Sequence, residues 1–212
     1  MLALDAGDDW WLVPIGRAIP AIGAGLFITF SADHSSKFGL LVFGGFAVLT
    51  AITIVWGSRV LGRATRGWML LHAAASLGCG IAAFIGHSAG IGVLFAVLIT
   101  FGATTGVVEI VLGLRMCGRI RFSNDWIITG VLGCLLALVV LVIPIDLANH
   151  WQVAGQQGDV VSGVVTADVF LVGVLGAYCI VLGVFLVIAG ISAHGAGAPK
   201  TDAPAVHETG VR

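Results

Sequence analysis

GIGVLFAVLITFGATTGVVEIVLGL (residues 90–114) carries one ionisable side chain, Glu109, and how it is read decides the fold. At 1.5 Å per residue, a helix of about 20 residues crosses the ~30 Å hydrocarbon core of a bilayer. A half-exposed strand would alternate apolar and polar residues, and this stretch does not. Five further runs read the same way: residues 11–30, 38–58, 68–86, 126–145 and 167–191. Across the 212 residues, 58% are hydrophobic and 10% charged, with a mean hydropathy of +1.08. Soluble domains carry about 25% charged residues, so this chain cannot cover a water-facing surface. The expectation is an all-α membrane protein with six transmembrane helices. Acidic Asp5, Asp8 and Asp9 precede the first run, where a signal peptide carries positive charge, so that run is read as a retained span.

Basic residues set the expected orientation. Arg59, Arg63 and Arg66 lie between spans two and three, and Arg115, Arg119 and Arg121 between spans four and five. Lys200 and Arg212 are in the tail, whereas the opposite connections hold only Lys37. Basic loops stay inside, which predicts a multi-pass protein of the bacterial cytoplasmic membrane with both termini cytoplasmic. The chain divides into a short acidic N-terminus (1–10), a six-helix transmembrane domain (11–191) and a disordered cytoplasmic tail (192–212). Cys79, Cys117, Cys134 and Cys179 form no C-x-x-C pair and imply no disulfide framework.

Internal similarity organises the spans. Ile22-Gly23-Ala24, Leu77-Gly78-Cys79 and Leu132-Gly133-Cys134 recur in the odd spans at a spacing of 55 residues. The even spans end alike, in TIVWG (53–57), EIVLG (109–113) and CIVLG (179–183). Seven residues before each final glycine stands a small residue, Thr50, Gly106 or Gly176. The expected architecture is three parallel-repeated helical hairpins, 11–58, 68–114 and 126–191, the last with a longer outer loop over 146–166. No strand is expected anywhere. Small residues at helical spacing (Gly102 with Gly106, Ala21 with Gly25, Ser76 with Gly80) let helices approach closely.

Gly86-His87-Ser88-Ala89-Gly90 matches the G-x-S-x-G nucleophile elbow of esterases. An elbow needs a strand before the serine and a helix after it. Here a helix precedes it, and the equivalent turn of the first hairpin (residues 33–39) lacks both glycines. Ser88 is therefore expected to cap the following helix, and a membrane-embedded serine hydrolase is the weakest of three functional readings.

Three hairpins, an aromatic residue opening each odd span (Trp11, Trp68, Trp126), a mid-span glycine and the I-V-x-G endings resemble the HdeD family. These are small six-span bacterial inner-membrane proteins associated with acid resistance. The resemblance covers roughly residues 10–191 and implies a non-enzymatic, stress-related membrane protein. It brings no catalytic residues with it. One departure is visible: of the outer turns, only the third carries the proline common in the family, Pro144.

Ionisable groups inside a span are costly and mark candidate sites. Arg17, His72 and Glu109 lie roughly 6–9 Å from the cytoplasmic edge by residue count. Arg17 and His72 occupy the same position in successive repeats. Glu109 follows Gly106 by three residues and precedes Gly113 by four, on the face that packs against neighbours. A buried Arg17–His72–Glu109 cluster is expected, either as a structural tie or as the site of a small proton- or ion-linked transporter or channel. Arg17 could instead snorkel to the headgroups. On the outer side, His34, His87 and His150 each occupy one connection and are candidate pH sensors. No metal site, cofactor or nucleic-acid partner is expected, because P-loop, dinucleotide and H-E-x-x-H motifs are missing. The arginine loops suit anionic lipid. The expected partners are the bilayer and another membrane protein or a second copy of the chain.

Overall fold

A computed structural model describes residues 10–61, 63–117, 123–154 and 160–196. The acidic residues 1–9, Arg119, Arg121, Asp159 and the tail beyond residue 196 lie outside them. Six helices follow in order: α1 (Leu12–Phe30), α2 (Ser36–Val60), α3 (Arg63–Ile85), α4 (Ile91–Met116), α5 (Ser123–Val142) and α6 (Ala167–Ala196). All six are long and apolar enough to cross a membrane. The protein is an α-helical, multi-pass membrane protein. One helix runs past its expected limit: α6 continues five residues into the expected tail, where His194 meets the Trp11 ring at 4.6 Å.

The connection between α5 and α6 corrects the expectation of no strands. Strands β1 (Ala148–Ala154) and β2 (Val160–Thr166) pair antiparallel, from Ala148 opposite Thr166 to Ala154 opposite Val160. The sequence VVSGVVT of β2 explains this, because β-branched residues favour the extended backbone. The Ala167 N–H donates to the Leu147 carbonyl and closes the base of the hairpin. These strands lie far along the chain from Ser88, which sits in a turn between two helices.

The turns at Ser35 and Ser88 differ. The Ser35 hydroxyl accepts from the Phe38 N–H at 3.3 Å and caps α2. The Asp33 carboxylate accepts from the Ser35 N–H at 2.8 Å. This bond, helped by the Ser35 hydroxyl and nearby His34 and Lys37, holds the Asp33 carboxyl below the usual range. Ser88 makes no such cap, contrary to expectation. The N-cap of α4 is Gly90, whose φ of 86° suits a residue without a Cβ.

Within the bundle, α2, α4 and α6 touch one another, and α1, α3 and α5 pack outside them. The closest pairs are α1 with α6, α3 with α2, and α5 with α4. Each odd helix therefore lies tighter against the even helix of another hairpin than against its own. Glycine explains the tightest pair. A Cβ on Gly106 would lie 2.7 Å from the Gly130 carbonyl oxygen and 2.8 Å from the Cys134 nitrogen, both backbone atoms that cannot swing away. At the α1/α2 and α3/α4 contacts run open grooves lined by small residues such as Gly23, Gly45, Gly78 and Gly92.

Candidate functional site

The ends of the bundle differ chemically. One carries Arg59, Arg63, Arg66 and Arg115, the other His34, His87 and His150. At the arginine end, tryptophans near the starts of α3 and α5 meet basic groups. The Arg115 guanidinium lies 4.8 Å from the Trp68 ring, and that of Arg17 5.1 Å from Trp126. Such contacts suit amphipathic rings at a membrane boundary.

Arg17 does not snorkel. It is 5% exposed, and its Nη2 donates to Oε1 of Glu109, itself 3% exposed. His72, equally buried, places Nδ1 3.5 Å from the same oxygen. The expected cluster is therefore assembled, by α1, α3 and α4. Counted from the helix ends, Arg17 lies about 8 Å, Glu109 about 10 Å and His72 about 14 Å into the bundle. The larger figure for His72 reflects the start of α3 at Arg63, five residues before Trp68. A lone charge at such depth is costly. Paired, Arg17 and Glu109 carry no net charge and are tolerable in hydrocarbon.

Helices α2 to α5 also bury hydroxyl groups, and sequence reading took two of them for packing residues only. Thr50 of α2, Ser76 of α3, Thr105 of α4 and Thr129 of α5 are all buried. Tyr178 of α6 lines a cavity of about 10 Å³ together with Thr50 and Thr105 of this set and with Arg17, His72 and Glu109. A signal for these residues was present. Ser76 follows His72 by four residues and Thr105 precedes Glu109 by four, each on the same helical face as its partner. Thr50 puts a hydroxyl where the other even spans have glycine.

Aromatic packing closes this chamber toward the histidine end. Phe43 and Phe101 meet edge-on at 5.3 Å, Phe46 and Phe101 at 5.7 Å, and Phe46 and Tyr178 at 6.5 Å. On the arginine side stands Arg17 itself. Its other flank lines a second cavity, of about 30 Å³, with Trp10, Pro14, Asp125 and Trp126. Arg17 thus separates the chamber from a pocket at the arginine end.

The three histidines at the far end are not brought together. His34 and His87 are half-buried in separate turns, with His87 Nδ1 2.8 Å from the Phe84 carbonyl oxygen, and His150 is exposed on β1. Among the described residues, no three His, Cys, Asp or Glu side chains converge as metal ligands would. The Arg17–His72–Glu109 cluster is the better candidate site, since burial and three helices fix its geometry. Compared with family models, with curated proteins and with solved structures, the chain matches none.

Proposed function

We propose that the chain is a non-enzymatic, multi-pass protein of HdeD type in the bacterial cytoplasmic membrane, with both termini cytoplasmic. In this reading it supports the membrane under acid or related stress as a closed bundle tied by Arg17, His72 and Glu109. It engages the bilayer and either another membrane protein or a second copy of itself. The observation that carries this reading is the sealing of the cluster. The chamber at Glu109 measures about 10 Å³, and Phe43, Phe46, Phe101 and Tyr178 pack against its histidine-end side. An ion-linked transporter needs its site to open toward each side of the membrane in turn, and this packing favours a tie instead. The grooves at α1/α2 and α3/α4, of about 630 and 570 Å³, support engagement with membrane components, because their exposed glycines leave room for close approach.

Two measurements test the proposal. Liposomes containing the protein should hold an imposed pH gradient as long as protein-free liposomes, read with an entrapped pH dye. Bacteria producing the protein should survive acid challenge better than cells carrying an empty vector. A gradient that collapses with the wild type but persists with Glu109→Gln would replace this reading with the transporter. Unchanged survival would remove the stress role.

A further inference from the structure

Buried hydroxyls in helices ordinarily bond back to a carbonyl three or four residues earlier. Ser58, Thr65, Thr105 and Thr129 do so, at 2.7, 3.3, 2.6 and 3.1 Å. Thr50 and Ser76 do not. Among the described residues, Thr50 Oγ1, Ser76 Oγ, Arg17 Nε and both ring nitrogens of His72 are buried without a hydrogen-bond partner. Such atoms are rare in folded proteins and call for an explanation. Three of the residues that carry them, Arg17, Thr50 and His72, line the same chamber of about 10 Å³ beside Glu109.

The size and chemistry of the chamber select its guest. A space of about 10–15 Å³ on this measure holds one water molecule, which needs two to four polar partners. A neutral imidazole offers one donor and one acceptor, a hydroxyl offers both, and a carboxylate accepts. Arg17 already neutralises Glu109, so a cation gains little there, and an apolar guest would leave the hydroxyl and the imidazole unpaired. We propose that the chamber is a binding site for a single water molecule, held by Thr50 Oγ1, His72 and the Glu109 carboxylate. The water gives Thr50 Oγ1 and one His72 ring nitrogen the partner that each lacks, and it links α2 to α3 and α4. This concerns the same cluster as the proposed function but not its role. A dry chamber would end this inference and leave the closed-bundle reading standing. Proton flux through liposomes would end that reading and leave the water in place.

Water-edited solid-state NMR on the full-length, ¹⁵N-histidine-labelled protein in lipid bilayers tests the site. The His72 resonance is assigned by its loss in His72→Gln. Magnetisation from water should reach the His72 ring despite its burial, disappear in Thr50→Val and persist in Thr50→Ser. Thr50→Val should melt at a lower temperature than the wild type, and Thr50→Ser close to it. The inference is overturned by no transfer to His72 in the wild type, by transfer unchanged in Thr50→Val, or by a Thr50→Val protein that melts higher. The last result would mean that the hydroxyl was unpaired and that its removal relieved the bundle. Should Thr50→Val fail to fold, the wild-type transfer and its retention in Thr50→Ser decide the matter.

Discussion

Replacing Glu109 by Gln isolates what the buried ion pair contributes. In the wild type, Arg17 has two partners, the Glu109 carboxylate and the Trp126 ring at 5.1 Å. Glu109→Gln removes the counter-charge but leaves the ring, and a desolvated cation–ring contact is worth up to about 2 kcal/mol. Breaking a buried pair typically costs about 3–5 kcal/mol, so Glu109→Gln should fall near the lower end. Arg17→Leu strands the carboxylate and forfeits the ring contact as well, which puts it near the upper end. The double variant Arg17→Leu/Glu109→Leu leaves no stranded charge and fills the space with apolar atoms. It should be more stable than either single variant, because well-packed apolar replacements of buried pairs are often neutral. The coupling between the sites is then several kcal/mol, against the roughly 0.3–0.5 kcal/mol within which independent sites add. Equilibrium unfolding of Arg17→Leu, Glu109→Leu, the double variant and the wild type in one detergent supplies the cycle, with Glu109→Gln measured beside it. Additive losses would refute the reasoning, since they would mean that Arg17 and Glu109 do not share a bond in the folded protein.

Other consequences can be measured in the same preparations. Gly106→Ala should destabilise by about 1–3 kcal/mol, the usual cost of overpacking, because its new methyl meets the backbone of α5; Gly78→Ala, with nothing within 4 Å, should unfold with the wild type or slightly later. Ser35→Ala should cost about 0.5–2 kcal/mol as a lost helix cap, whereas Ser88→Ala should be silent and Ser88 should resist fluorophosphonate probes; covalent capture of Ser88 would revive the hydrolase. By NMR, Asp33 should titrate below the usual 3.8. Because its folded value is depressed, its contribution to the first outer turn is complete above the ordinary carboxylate range and lost as pH falls through the depressed value; a normal titration would contradict its bond to Ser35. On a cysteine-free background, Ser36→Cys should label with an impermeant thiol reagent in intact cells and Arg66→Cys should not, and the reverse pattern would invert the expected orientation.

The spans could be read from sequence because crossing a bilayer is a one-dimensional requirement, met by run length and apolarity alone. The cluster could be read because a charge inside such a run has few tolerable fates, and Arg17 and Glu109 needed each other. The β-hairpin was missed for the converse reason. Residues 146–166 lie outside the spans, and the valine run of β2 stands beside the valine-rich start of α6, so apolarity alone could not separate strand from helix. The cap of α4 was missed because only backbone geometry distinguishes Gly90 from Ser88 as the helix start.

Helix contacts were the least legible feature, and the repeated glycine of the odd spans shows why. Gly23, Gly78 and Gly133 stand at one position of the expected repeat, yet a Cβ would meet nothing within 4 Å at the first two and the Gly106 backbone at 3.2 Å at the third. A repeat fixes register along a helix, whereas contact depends on what the facing helix presents. At the matching position of the even spans, α4 presents Gly106, and α5 closes onto it through Gly130 and Cys134. Helix α2 presents Thr50 there, which lines the Arg17–His72–Glu109 chamber and whose hydroxyl is buried without a hydrogen-bond partner. One position of the expected repeat is thus a close backbone contact in α4 and a buried hydroxyl in α2. Glycine there removes the side chain and brings two backbones together, while threonine supplies a hydroxyl that the buried cluster can use.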